Sequence, residues 1–178
     1  QDSASPVRYF PKMSSILTAS TTTSGLDVMA EALSSVARTL NFRLTARDNI
    51  SGQGQTNFAD ATVTVVAKSA LTVTMVANTS YPVGSSQTVV WTGATGTTGH
   101  STIAGGANVD ISFSPDNGET WTTLLTNTPN DGSQAVTLPA GIAAPFCRFM
   151  VKASANIFFN VSPVFTVGYT VTTTCNTY

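Results

Sequence analysis

The side chains with the most chemical potential stand together at residues 114–121, SPDNGETW. They read Ser114-x-Asp116-x-Gly118-x-Thr120-Trp121, the spacing of an Asp-box, a turn signature found in β proteins. In such a turn the Asp116 carboxylate accepts hydrogen bonds from the backbone N–H groups that follow it. Gly118 supplies a positive φ that a residue with a Cβ resists. Trp121 opens the returning strand and lays its ring over the turn. Ser114, Asp116, Gly118 and Trp121 thus read as a structural turn, and their spacing needs no substrate to explain it.

The same signature is best known from sialidase propellers, so glycan hydrolysis is the enzymatic alternative. A propeller repeats its box at a regular blade period, and this chain has one copy. A glycosidase also needs two carboxyls facing each other across a cleft at roughly 5–10 Å, and nothing in the sequence argues for a cleft. The acids Asp110, Asp116, Glu119 and Asp131 raise a second chemistry, calcium binding. A calcium loop concentrates alternate carboxylates within about a dozen residues, whereas Asp110 belongs to a strand, away from the turn. No cofactor is therefore expected, and calcium is the one that this acidic stretch admits.

His100 is the sole histidine and sits in TGTTGHSTIAGG. No second histidine or cysteine stands at zinc-ligand spacing. A Gly/Thr loop predicts a solvent-exposed imidazole there. The loop glycines lack the Lys-Ser/Thr and the helix that complete a phosphate cradle. Cys147 and Cys175 are the only cysteines and form a candidate disulfide. Cys147 opens one strand and Cys175 lies past the end of the next. In an antiparallel pair Cys147 faces a position near residue 169, so a bridge requires the tail to bend back. The rival reading assigns Cys175 to a following domain.

Charged residues make up 10% of the 178 residues and the net charge is −1. Thr, Ser and Asn supply the polar surface in place of charge. That balance leaves no basic face for nucleic acid and no polybasic membrane anchor. No apolar run approaches the ~18 residues of a membrane span. The first twenty residues lack the n-region and h-region of a signal peptide, and Gln1 reads as the edge of a processed or excised piece. Few charges, many Ser/Thr and a pair of cysteines suggest a secreted or cell-surface chain. The sequons NIS (49–51), NTS (78–80) and NVS (160–162) matter only in a host that glycosylates asparagine.

Alternation of apolar and polar residues, the mark of half-buried strands, dominates the chain. RTLNFRLTARD sets Leu40, Phe42, Leu44 and Ala46 on one face and Arg43, Thr45 and Arg47 on the other. NISGQGQTNF is then a loop and ADATVTVVA a returning strand. Before that hairpin, VRYFP reads as a short strand, and LDVMAEALSSV spaces Leu26, Met29, Ala30, Leu33 and Val36 at helical intervals. Residues 1–68 thus resemble the C-terminal half of an immunoglobulin-like sandwich without its early strands, because such a sandwich needs about seven. Residues 69–168 offer seven strands: LTVTMVA, QTVVWTG, ANVDISFS, TWTTLLTN, QAVTLP, CRFMVKAS and PVFTVGY. Val109, Ile111, Phe113, Val136, Leu138, Phe149, Val151 and Trp91 are expected in their core. Residues 169–178 read as a linker or the first strand of a next domain. The fold expected is all-β: an immunoglobulin/fibronectin-III-like β-sandwich preceded by an incomplete half of a second.

ARTLNFRLTARDN, ADATVTVV, TPNDGSQAVTLP and CRFMVKASANIFFNVSPVFTV together resemble the non-catalytic C-terminal region of secreted, multidomain reprolysin-like zinc metalloproteases and related surface proteins of Bacteroidota. The resemblance runs from about residue 5 to 168. It implies a protease domain upstream, of whose zinc motif nothing is present here, and a first sandwich that begins before Gln1. Relatives often carry a cysteine ahead of the strand matching NVDISF, where this chain has AGGAN. That departure removes one partner for Cys147 and favours Cys175.

The function expected is a non-enzymatic extracellular structural or interaction module of a secreted multidomain protein. Its partners are other copies of itself or neighbouring domains, and a half-sandwich with open edges invites strand donation, by the tail YTVTTTCNTY for instance, into a filament. The alternative is a carbohydrate- or surface-binding accessory module of a secreted metalloprotease, with a glycan as ligand. Tyr9, Phe58, Tyr81 and Phe158 are the aromatics that fall outside the inward pattern.

Overall fold

A computed structural model of the chain describes residues 9–21, 31–34, 36–48, 50–52, 54–75, 79–93 and 99–169. Among the described residues the chain is all-β apart from one short helix and one 3-10 turn. It divides into two compact units, one of Gln1–Ser20 with Lys68–Tyr178 and the other of Thr21–Ala67. The helical pattern at residues 26–36 falls largely outside the described residues, as do Asn49, Asn78 and the tail from residue 170.

The smaller unit contains β1 (Arg38–Arg47) and β2 (Thr56–Val65), paired antiparallel in unbroken register from Arg38↔Val65 to Arg47↔Thr56. The period-two pattern of both strands decides their faces. Leu40, Phe42, Leu44 and Ala46 share one face with Ala59, Ala61, Val63 and Val65, and Arg38 and Asn57 stand on the same face at its ends. Thr39, Asn41, Arg43, Thr45 and Arg47 share the other with Thr56, Phe58, Asp60, Thr62 and Thr64. Leu44 is nevertheless 75% exposed, as the apolar side of a finished sheet is not. Two strands alone are marginally stable in water.

The larger unit is built on a single core between two sheets. One sheet runs β3 (Val73–Thr74), β5 (Ser86–Trp91), β8 (Ser133–Thr137). The other runs β4 (Ser80–Tyr81), β11 (Phe165–Val167), β9 (Ala144–Ala153), β6 (Asn108–Ser114), β7 (Thr122–Pro129), with β10 (Phe159–Val161) also on β9. Val73, Val89, Trp91 and Val136 from the first sheet meet Val109, Ile111, Phe113, Phe149, Val151 and Phe165 from the second. The phenyl rings of Phe113, Phe149 and Phe165 pack within 5.0–6.4 Å of one another, centroid to centroid. All the residues expected in the core are buried.

Helix α1 (Met13–Leu17) covers part of the outer face of the larger sheet. Met13, Ile16 and Leu17 are three and four residues apart and so lie on one side of the helix. They pack with Met150 of β9, Phe159 and Val161 of β10, Trp121 and Tyr9. A helix this short does not hold itself in water, so burial of this face is what stabilises it. Gln1–Ser20 group with Lys68–Tyr178, where residues 1–68 are expected to form one domain. Residues 9–12 likewise carry no strand, although VRYFP predicts one.

Two further differences concern the last strands. SANIFFN reads as a turn, yet Phe159–Val161 pair with Met150–Lys152. Cys147 lies opposite Phe165 rather than residue 169, because Ser162–Val164 interrupt the return path and the register shifts after Phe165.

Candidate functional site

Strand β6 delivers Ser114 and the register of β9 brings Phe146 and Arg148 beside it, so the Asp-box turn is assembled from two strands. Ser114 Oγ donates to Asp116 Oδ1 at 2.7 Å and accepts the Gly118 N–H at 2.8 Å. Asp116 Oδ1 also accepts the Thr120 N–H at 2.9 Å, and Oδ2 accepts the Thr120 hydroxyl. Gly118 has φ +92°, and a Cβ there would lie 3.1 Å from Leu17 Cδ2 and 3.3 Å from the Trp121 ring. The Trp121 indole N–H donates to the Gly118 carbonyl at 3.1 Å. Ser114, Asp116, Gly118 and Trp121 thus form one cluster, closed over by α1.

The turn is fastened to β9 by groups that local sequence reading does not find. Asn117 N–H donates to the Phe146 carbonyl at 2.8 Å, and Arg148 Nε donates to Asn117 Oδ1 at 2.7 Å. Arg148 also donates to the Ser162 carbonyl at 2.8 Å. Burial pulls the Arg148 guanidinium below its usual value. For Asp116, burial pushes the carboxyl up, but the hydrogen bonds from Thr120, Ser114 and the Glu119 N–H outweigh it and hold the group below the usual carboxylate range. Both carboxylate oxygens are committed to the turn.

Glu119 lies within the turn with its side chain exposed, whereas Asp110 and Asp131 are engaged elsewhere. Asp110 Oδ1 accepts the Asn127 N–H at 2.9 Å and the Ser154 hydroxyl at 2.7 Å. Asp131 Oδ1 accepts the Ser133 N–H at 3.3 Å, in the turn before β8. Among the described residues no group of three or more His, Cys, Asp or Glu is placed to hold a metal ion.

His100 corrects an expectation: the imidazole is 4% exposed rather than solvated. Its Nε2 donates to the Ser69 carbonyl at 2.5 Å and its ring lies 5.8 Å from that of Phe158. Gly93 makes room for it, since a Cβ at that φ +76° position would lie 2.2 Å from His100 Cε1. Nδ1 has no hydrogen-bond partner among the described residues. Composition suggests a solvated side chain there, but the imidazole packs against the Gly93 backbone and the Phe158 ring.

Cys147 is fully buried, and burial pushes its thiol up to about 11. It has no disulfide partner among the described residues, and Cys175 lies outside them. Asn160, of the third sequon, spends its side-chain amide on the Leu71 carbonyl at 2.5 Å. Of the four aromatics outside the inward pattern, Tyr9 packs on Phe159, Tyr81 on Phe165 and Phe158 on His100. Phe58 is 57% exposed, on the polar side of β1–β2. Arg43 stands 4.0 Å over its ring and grips Asp60 with two hydrogen bonds of 2.6 and 2.8 Å. The hydrogen bond from Arg43 lowers the Asp60 carboxyl.

The chain matches no protein-family model, no curated protein and no solved structure.

Proposed function

We propose that this chain is a non-enzymatic, extracellular structural and interaction module with an immunoglobulin/fibronectin-III-like second domain. The strand order supports the domain type. On this reading β3, β5 and β8 correspond to strands A, B and E of such a sandwich, and β6, β9 and β11 to C, F and G. β7 then extends the C side, as an additional strand does in several members of this class. Cys147 occupies the F position, but the buried residues of the B-position strand are Val89 and Trp91, so the B–F disulfide of antibody domains has no counterpart.

The observation that carries the functional reading is the β1–β2 hairpin, whose mainly apolar face, which also carries Arg38 and Asn57, leaves Leu44 75% exposed. Apolar sheet surface on display marks a contact site. Three of the residues able to do acid–base chemistry are meanwhile engaged by the fold: Asp116 by its turn, Asp110 by Asn127 and Ser154, and His100 by Ser69. The carbohydrate-binding alternative rests on Phe58, Arg43 and Asp60, an exposed aromatic with polar neighbours. Arg43 already occupies one face of that ring, which weakens Phe58 as a stacking platform.

The test pairs sedimentation velocity with a glycan panel and fluorogenic glycosides. The expected result is concentration-dependent association with neither glycan retention nor hydrolysis. Hydrolysis that disappears in Asp116→Asn would overturn the reading.

A further inference from the structure

Among the described residues no strand pairs with the outer edge of β1, and that edge offers a more specific surface than the face of the hairpin; the register shows which backbone groups it presents. Opposed residues in an antiparallel pair alternate between those that exchange both backbone hydrogen bonds and those that exchange none. Asp48 N–H donates to the Gln55 carbonyl at 3.3 Å, one step beyond Arg47↔Thr56. That bond sets the phase: Ala46↔Asn57, Leu44↔Ala59, Phe42↔Ala61 and Leu40↔Val63 are the bonded pairs. Thr39, Asn41, Arg43, Thr45 and Arg47 therefore turn their N–H and C=O groups outward along β1, and Thr56, Phe58, Asp60, Thr62 and Thr64 do so along β2.

The two edges differ. On β2 the outward N–H of Phe58 is closed by Asn57 Oδ1 at 2.8 Å. Among the described residues no side chain closes an outward N–H of β1 in this way. Edge strands left open are templates for a further strand.

We propose that the outer edge of β1 accepts an extended strand from a second copy of this chain, supplied by residues 170–178; this rests on the interaction-module reading. The length fits: nine extended residues reach about 30 Å and the ten of β1 about 33 Å. Charge fits as well. β1 carries Arg38, Arg43 and Arg47 without an acid, and TVTTTCNTY carries no charge to oppose them. Thr, Val and Tyr are residues that suit strands. Area argues against the simpler arrangement of two hairpins laid face to face. A two-stranded face about 33 Å by 10 Å covers roughly 330 Å² per partner, against about 800 Å² in a standard stable interface. An added strand brings backbone hydrogen bonds as well as area, and widens the apolar face. Because donor and acceptor surfaces differ, the contact is head-to-tail and propagates as a filament unless a ring closes.

The experiment compares the full chain, a truncation after Tyr169, Thr45→Pro and Thr62→Pro by sedimentation velocity. Proline at either threonine removes an outward N–H and leaves the bonded pairs of the hairpin intact. The expected result is higher assemblies for the full chain and Thr62→Pro, and monomers for the truncation and Thr45→Pro. Hydrogen exchange at the inner amides of Leu44 and Ala46 reports whether the Thr45→Pro hairpin is folded. Should it not be, competition decides on the unmodified chain: excess TVTTTCNTY peptide is expected to shorten the assemblies, and a proline-substituted peptide to leave them unchanged. Assemblies indifferent to Thr45→Pro, truncation and peptide would overturn the edge assignment while the interaction-module reading stands. A full chain that stays monomeric and ignores the peptide would overturn both. A monomer whose β1 amides lose protection on truncation would place the tail on its own chain and overturn the second copy as donor.

Discussion

At the scale of residues, Asp116 is the clearest case of an acid used for structure. Its carboxylate takes three hydrogen bonds from Ser114 and Thr120. Asp116→Ala is expected to lower stability by about 1–2 kcal/mol, the usual cost of orphaning partly buried donors, read as a shift in urea midpoint. The folded carboxyl is held below its ordinary value, so its contribution is present above the unfolded pKa of about 3.9 and is lost as pH falls through the folded one. Acid titration of stability should therefore flatten in Asp116→Asn. Cys147, with its thiol buried and pushed up to about 11, is expected to resist thiol reagents until the domain unfolds. Rapid labelling of native Cys147 would contradict that burial. Asn130 is a residue that the sequence hides in a turn. Its side chain accepts the Trp91 indole N–H at 2.7 Å and donates to the Gly106 carbonyl at 2.7 Å, all buried. Asn130→Ala should cost about 1–3 kcal/mol by leaving both unsatisfied, with a change in Trp91 fluorescence.

Among the elements, legibility follows length and locality. β6 and β9 alternate over seven and ten residues, enough for the period-two signal to stand out. β4 and β10 have two and three residues, and no periodicity can be read from so few. β4 pairs with β11 more than eighty residues on, and β10 folds back on the β9 strand just before it. The Asp-box lies within eight consecutive residues, so Ser114, Asp116, Gly118 and Trp121 announce themselves. Its fastening by Arg148, Phe146 and Leu17 does not, since those residues arrive from β9 and from α1. α1 is held by the apolar cluster that it covers, and Ile16 is 8% exposed. Ile16→Ala is expected to destabilise by about 2 kcal/mol, at the low end for core truncations, and to alter the emission of Trp121 beneath the helix. A silent substitution would show that α1 does not seal that face.

For the whole molecule, the two units differ in how their strands are supported. β9 contributes Cys147, Phe149 and Val151 to a closed core, all at 0% exposure. The β1–β2 hairpin keeps Phe58 57% and Leu44 75% exposed. Local opening is easiest where few apolar contacts are buried, so hydrogen exchange under dilute, monomeric conditions should protect β9 amides well beyond those of β1. Raising the protein concentration should then slow exchange along β1 selectively if that edge is where copies meet.

By itself the sequence determined the all-β class, the inward residues of the longer strands and the internal logic of the Asp-box turn. Each depends on side chains within a few positions of one another. Only the tertiary structure decided the strand order, the burial of His100 against Gly93, the packing of α1 on the larger sheet and the exposure of Leu44 on the hairpin. Those features depend on which distant surfaces meet, and alternation along a strand tells which side is apolar without telling what covers it.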